Sequence, residues 1–355
     1  FGQAVKDISM KGIFMEKSLK KDIIINRLPV VIYFILIFAA LMVIISAVAP
    51  VSNHEPKTTD TYSDFSTGWL NCEESEASLD HLSGTTVIHR TITAADCNKT
   101  LFFFAKTSNI KVFIDGVCQY KNKHFCSQFF GKTPGALFVN VLIPAESDGK
   151  LLEIEIENPY KDDDSAKLDE MYIGDISDII QFQQQKRFHP FCLSFIIMVL
   201  GVVMLLLFIP PTRQKMVGIE FVNLGVTAFV AGLYLTTDGR YLQLVFGDAH
   251  IYHVIAETAM RLATPLFLIF LSQMYDSYSK RISTILCVIG EIAFVVCFID
   301  EITGIMDYHE TLFLVHVVFV ISMLFILVST IKGIVKAPKE NIYHNIGCIV
   351  FSFMA

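Results

Sequence analysis

Residues 191–210 read FCLSFIIMVLGVVMLLLFIP, a stretch without one charged side chain. At 1.5 Å rise per residue, about 20 helical residues cross the ~30 Å hydrocarbon layer of a bilayer. Apolar runs of comparable length recur on both sides of it. Leu28–Val48 lies upstream; Ile219–Leu235, Ile251–Phe270, Ile282–Phe298 and Leu312–Ile331 lie downstream, and another run opens at Ile342. This clustering predicts bilayer spans rather than one large soluble core. Composition agrees, with 53% hydrophobic and only 18% charged residues among 355, where soluble domains average about a quarter charged.

The loops orient the spans. Lys6, Lys11, Lys17, Lys20, Lys21 and Arg27 precede the first run, and Arg213 and Lys215 follow the second. Lys280 and Arg281 follow the fourth, and Lys332, Lys336 and Lys339 follow the sixth. The alternate short loops hold only Arg240 beside acidic Asp300, Glu301, Asp307 and Glu310. Cytoplasmic loops carry the Lys/Arg excess, so residues 1–27 are expected in the cytoplasm and 28–48 form an anchor. Residues 51–190 are then an extracytoplasmic domain, and residues 191–355 a multi-helix membrane domain with six spans, the last one cut. Ala47-Val48-Ala49 also resembles a signal-peptidase site, the alternative reading of the first run. The chain begins at Phe1 and stops inside an apolar run, so both ends are read as cut; one closing span would make seven helices after the outer domain.

Between Val51 and Pro190 the period changes from helical to alternating. Leu152, Ile154 and Ile156 alternate with Glu153, Glu155 and Glu157, and Ile110, Val112 and Ile114 alternate up to Asp115-Gly116, a hairpin-turn dipeptide. Val87–Ile92, Leu101–Phe104 and Leu137–Ile143 are further strands. Short strands with turn signals between them predict an all-β extracytoplasmic jelly-roll or sandwich domain beside a membrane α-helical bundle. Cys72, Cys97, Cys118 and Cys126 lie in this domain, where disulfides persist outside the cell. Cys118–Cys126 and Cys72–Cys97 is one pairing of the three that four cysteines allow.

No catalytic constellation is present. Asp162–Asp164 lacks the ligand spacing of a calcium site, no Cys/His metal pattern and no Gly-rich phosphate loop occurs, and neither a metal nor a cofactor is expected. A net charge of −7 without a basic patch argues against nucleic acid. The candidate ligand contacts are aromatic or hydrogen-bonding groups near loops: Trp69, Arg90, Tyr120, His124 and Lys132. Trp69 suits stacking on a sugar face, although a core position at the first strand is the favoured reading of a lone tryptophan there; Arg90 also fits the wet face of a strand. In the fourth span Glu257 and Arg261 are four apart on one helical face, read either as a polar switch or as a static ion pair. Glu291 in the fifth span has no partner in its own helix and either meets Arg261 across the bundle or stays protonated.

The strings NIKVFIDGVCQYKNKH (109–124), FGKTPGALFVNVLIPAESDGKLLEIEIENPY (130–160) and MYIGDISDII (171–180) resemble the outer domains of one family. It is that of bacterial seven-transmembrane receptors with diverse intracellular signalling modules, closest to clostridial-type proteins ending in a GGDEF diguanylate cyclase domain. FVNLGVTAFVAGLYLTTDGRYLQLVFG (221–247) and ETAMRLATPLFLIFLSQMY (257–275) resemble the family's membrane portion, so the similarity runs from residue 60 to 355. It implies a jelly-roll sensor domain, seven helices and a cytosolic enzyme making cyclic di-GMP. VFIDGV followed by LLEIEIEN also resembles sugar-binding jelly rolls attached to glycoside hydrolases, which points to a carbohydrate ligand. No GGDEF stretch or kinase His box lies within residues 1–355, so this portion is expected not to be an enzyme. The expected function is a sensory receptor with an extracytoplasmic ligand, embedded in the lipid bilayer, and a homodimer is compatible with the sequence. The rival readings are a passive glycan- or protein-binding module and, behind it, a transporter; the latter lacks paired broken helices at midplane.

Overall fold

A computed structural model describes residues 61–122, 131–132, 135–160, 165–208, 219–247, 249–272 and 277–336. The first apolar run, His124, Cys126, Asp162–Asp164 and the run from Ile342 lie outside the described residues.

Residues 61–174 form two antiparallel sheets. One has the order β1–β9–β4–β7, from Tyr62–Asp64, Lys167–Gly174, Thr100–Lys106 and Ala136–Leu142. The other has the order β2–β3–β8–β5–β6, from Leu70–Asn71, Thr85–Thr91, Leu151–Glu157, Asn109–Ile114 and Val117–Lys121. The alternating stretches behave as their period demands. Leu152, Ile154 and Ile156 are buried in β8 while the intervening glutamates face outward, and Lys111 reaches across to Glu155 at 2.6 Å. The β5–β6 turn places Asp115 at φ 52° and Gly116 at φ 75°, the two positive dihedrals of a type I′ hairpin. Ile88, Ile110 and Ile154 of the second sheet and Leu101, Val139 and Ile173 of the first share one core. The two sheets therefore pack face to face.

Strand β4 does not alternate. Thr100 to Ala105 are all buried, with Leu101, Phe103 and Ala105 in the shared core and Phe102 and Phe104 on the opposite face. A strand covered on both sides reads as a continuous apolar run. What covers this second face is the helical half of the molecule.

Among the described residues six helices follow: α1 (Ile176–Phe208), α2 (Ile219–Asp238), the short α3 (Tyr241–Phe246), α4 (Ala249–Ser272), α5 (Ser277–Thr303) and α6 (Leu312–Lys336). All but α3 are long and apolar enough to cross a membrane. Helix α1 begins well before the apolar run at Phe191. Only Asp175 separates it from β9, and Asp175 caps it by accepting the Ser177 N–H at 2.8 Å. At 33 residues it spans about 50 Å, more than a bilayer core requires. Its first turns belong with the sheets, with Ile179, Gln183 and Arg187 buried along one face, and Pro190 sits where the polar stretch gives way to the apolar one. Close helix packing is set by glycine: a Cβ on Gly201 or Gly232 of the α1–α2 pair would overlap Phe229 or the backbone of Met198.

Two sequence expectations need correction here. Cys72, Cys97 and Cys118 are free thiols. Cys72 donates to the Val87 carbonyl and Cys97 to Thr93 O, carbonyls six residues apart along the chain. That is about 20 Å of extended backbone, far beyond disulfide reach. Trp69 is core: it is 1% exposed, donates its indole N–H to Phe65 O at 2.8 Å and packs edge-on against the Phe65 ring. It presents no face to a sugar.

Candidate functional site

The chemically dense region is the seam between the first sheet and the helix ends, built from three clamps. The first uses the α5–α6 loop. Asp307 and Glu310 exchange side-chain-to-backbone hydrogen bonds at 3.0 Å each, a capping box that starts the turn leading into α6. The other oxygen of Asp307 accepts the Lys132 backbone N–H at 3.1 Å and the Tyr160 hydroxyl. Lys132 Nζ meets Glu310 at 2.5 Å, and the Tyr160 ring lies 4.2 Å from that of His309. Lys132 and Tyr160 belong to the β-rich region, so this loop is held from the sheet side.

The same loop is gripped from the helix side. Arg261 on α4 donates to Glu257 at 2.5 Å and to the Tyr308 carbonyl at 2.6 Å, with its guanidinium 4.1 Å over the Tyr308 ring. The Tyr308 hydroxyl lies 3.0 Å from Thr258 Oγ1, and its N–H donates to Glu301 at 2.5 Å. Glu257 and Arg261 are thus more than a pair within one helix. They fasten α4 to the residue beside Asp307, which joins the sheets to the helix interior through Tyr160, Asp307, Tyr308 and Arg261.

The second clamp joins β9 to α1. Register slips between Phe102 and Phe104 where β9 bulges, and Glu170 there has φ 52°. A bulge re-aims a side chain, here onto α1: Glu170 binds Arg187 at 2.8 Å and Lys186 at 2.9 Å. Burial alone would raise the Glu170 pKa, but the hydrogen bonds from Lys186 and Arg187 outweigh it and hold the carboxyl below its ordinary value. A carboxyl depressed in the folded state stabilises fully above the unfolded value, near pH 4.3, and loses that contribution as pH falls through the folded value. Glu170→Gln should therefore melt lower than the parent at pH 7, with the two curves converging below about pH 4. Thermal melts across pH 3–7 check this, and a gap persisting unchanged at pH 3 would contradict the assignment.

The third clamp is α3 on the sheet edge. With its amide oriented to satisfy both groups, Gln243 donates to Ala136 O at 3.2 Å and accepts the Phe138 N–H at 3.0 Å. It occupies the free edge of β7 much as another strand would. Beside it Arg240, at φ 62°, lays its guanidinium 3.9 Å over the Phe104 ring, and Arg187 lies 5.1 Å over Phe138. Burial pushes the Arg240 pKa below its ordinary value, and the Arg187 charge adds to that. Gly135 completes the seam; a Cβ there would overlap the His253 ring of α4.

Of the sequence candidates, the structure brings Lys132, Glu257 and Arg261 into this seam. Arg90 lies elsewhere, donating to Thr67 O at 2.6 Å and stacking on Phe65 beside Trp69, where it fastens the β1–β2 loop. Tyr120 lies on β6, packed against the sandwich core, and burial raises its phenol pKa. Glu291 accepts from the Cys287 thiol at 3.6 Å, one turn back on α5, while Arg261 is committed to Glu257 and Tyr308. Sequence reasoning missed Tyr160, Glu170, Glu301 and the Asp307–Glu310 box. Only the last had a local signature, D-Y-H-E ahead of an apolar run. Among the described residues no cluster of three His, Cys, Asp or Glu is placed to hold a metal. No protein-family model matches this chain, and no curated protein matches it.

Proposed function

We propose that this chain is a transmembrane sensory receptor whose β-rich half, a jelly-roll sensor outside the membrane, binds a ligand and biases the packing of a seven-helix domain. Carbohydrates are the first ligand class to try, and the resemblance to clostridial-type receptors makes a GGDEF diguanylate cyclase the first candidate for a cytosolic output. The observation that carries the reading is the seam. A single residue, Asp175, joins β9 to α1, and the α5–α6 loop is held from both sides by Tyr160 and Arg261. A passive binding module would need only a flexible tether. Ligand binding shifts such a bundle by its differential affinity for two arrangements, and a linker-free joint transmits that difference.

Charge supports the proposed sidedness. Lys280 and Arg281 begin α5, and Lys332 lies near the end of α6, about 30 Å from the seam at 1.5 Å per residue. Cationic ends opposite the sheets support an extracytoplasmic sandwich. The test uses the full chain in lipid nanodiscs. An oligosaccharide that raises the melting temperature should also change the rate of tryptic cleavage after Lys280 and Arg281 on the far side. Ligands that stabilise the sheets yet leave that rate untouched would reduce the protein to a passive binder.

A further inference from the structure

Helix α5 carries a carboxyl group at the centre of its apolar stretch. Glu291 lies eleven residues from Lys280 and twelve from Thr303, the ends of that stretch, so about 17 Å of helix separates it from either end. Its side chain is exposed on the helix surface. Among the described residues its only hydrogen bond comes from the Cys287 thiol, a weak donor, at 3.6 Å. Hydrocarbon offers no water to strengthen that contact, and ionisable groups at bilayer depth pair with one another or face protein. The bundle does not enclose it. Helix α5 packs inward through buried Cys287, Gly290 and Cys297, and a Cβ on Gly290 would lie 3.4 Å from Pro265 of α4 and 3.7 Å from Val318 of α6. Arg261 is committed to Glu257 and Tyr308. The remaining apolar runs offer no donor at a comparable position in sequence. Leu28–Val48 has no acid, base or carboxamide, and the run from Ile342 has its His344 and Asn345 within four residues of its start.

We propose that this face of α5 is the interface between two copies of the chain, joined within the bilayer by Glu291 from each. Thr284, Val288, Glu291, Val295 and Phe298 recur at intervals of four, three, four and three, the spacing of a left-handed helix pair. Val288 and Val295 are 46% and 50% exposed, and Thr284 is exposed as well. In this register the valines take a positions and Glu291 takes a d position. β-Branched residues at a favour two parallel strands, and one polar core position fixes their register. A bilayer also imposes the parallel arrangement. Two copies inserted the same way are related by a two-fold axis along the membrane normal, which brings both Glu291 side chains to one level. A carboxylic acid donates through its O–H and accepts through its carbonyl oxygen, so the side chain is complementary to its own copy. The interface requires only that α5 cross a bilayer, and it stands whether or not the sheets bind a ligand.

The test reconstitutes the full chain, labelled in separate batches with a donor and an acceptor fluorophore, in dioleoylphosphatidylcholine vesicles. Energy transfer is followed as added lipid dilutes the protein. The parent should show saturable transfer that fits a dimer. Glu291→Leu should dimerise at least roughly tenfold more weakly, the scale of one interhelical polar contact. Glu291→Gln, whose amide also donates and accepts, should dimerise as the parent does. Oxidation with copper phenanthroline reads the geometry. Val295→Cys should cross-link two copies above the parent's background, whereas Val296→Cys should not, being 46% exposed but about 100° further round the helix. A monomeric parent, undiminished dimerisation in Glu291→Leu, equal weakening in Glu291→Gln, or cross-linking through Val296→Cys that matches Val295→Cys would each overturn the interface. None of those results would touch the receptor reading, which is tested by ligand and not by copy number.

Discussion

Trp69→Ala should cost the sandwich about 3–5 kcal/mol, the range for deleting a buried aromatic side chain. The indole is enclosed between the sheets, and its removal leaves both a large cavity and a Phe65 carbonyl without its donor. The Phe65 ring would lose its edge-on partner while still carrying Arg90 on its face, so the β1–β2 loop should loosen as well. Denaturant unfolding of the full chain in micelles, followed by tryptophan-independent circular dichroism, measures this. A Trp69→Ala protein with parental stability and lost ligand binding would return the residue to the contact surface.

Arg261→Ala should also be damaging, by about 3 kcal/mol, the low end for breaking a buried pair, because the carboxylate left behind, Glu257, is 24% exposed. The Arg261 side chain is 1% exposed. Without it the Glu257 carboxylate loses its cation, the Tyr308 carbonyl loses a charged donor, and the ring of Tyr308 loses its stacking partner. The effect should reach the sheets, because Tyr308 neighbours Asp307. Limited proteolysis around Lys132 should accelerate in the variant, and Arg261→Lys should rescue only part, as an ammonium cannot bond Glu257 and Tyr308 in one plane. Parental stability and parental cleavage in Arg261→Ala would show the pair to be local to α4.

Much of the architecture was legible because it is written in periods. The long apolar runs gave the helices, alternation gave β5 and β8, and β3, β4 and β7 were further short strand stretches between turn signals. Strand β9 was not legible for a specific reason: its bulge at Glu170 puts Leu168, Met171 and Ile173 on one face at spacings of three and two, which matches no strand template. The start of α1 was hidden by polarity, since ISDIIQFQQQKR has no span signature and its buried face exists only against the sheets. Glu257 and Arg261 were visible as an i,i+4 pair, yet their tie to Tyr308 joins positions 47 residues apart. Trp69 illustrates the limit on single residues: the core was the favoured reading of an isolated aromatic near a strand, yet a ligand platform stayed open until burial decided for the core.

A receptor of this build requires its sheets and helices to be one mechanically joined body. A double-mutant cycle across the seam, Tyr160→Phe with Asp307→Ala, tests it by chemical denaturation of the full chain in micelles. Their hydrogen bond joins the β-rich half to the α5–α6 loop, so the double variant should depart from additivity by at least about 0.5 kcal/mol. Additive losses, agreeing within roughly 0.3 kcal/mol, would mean that the two halves are not coupled there.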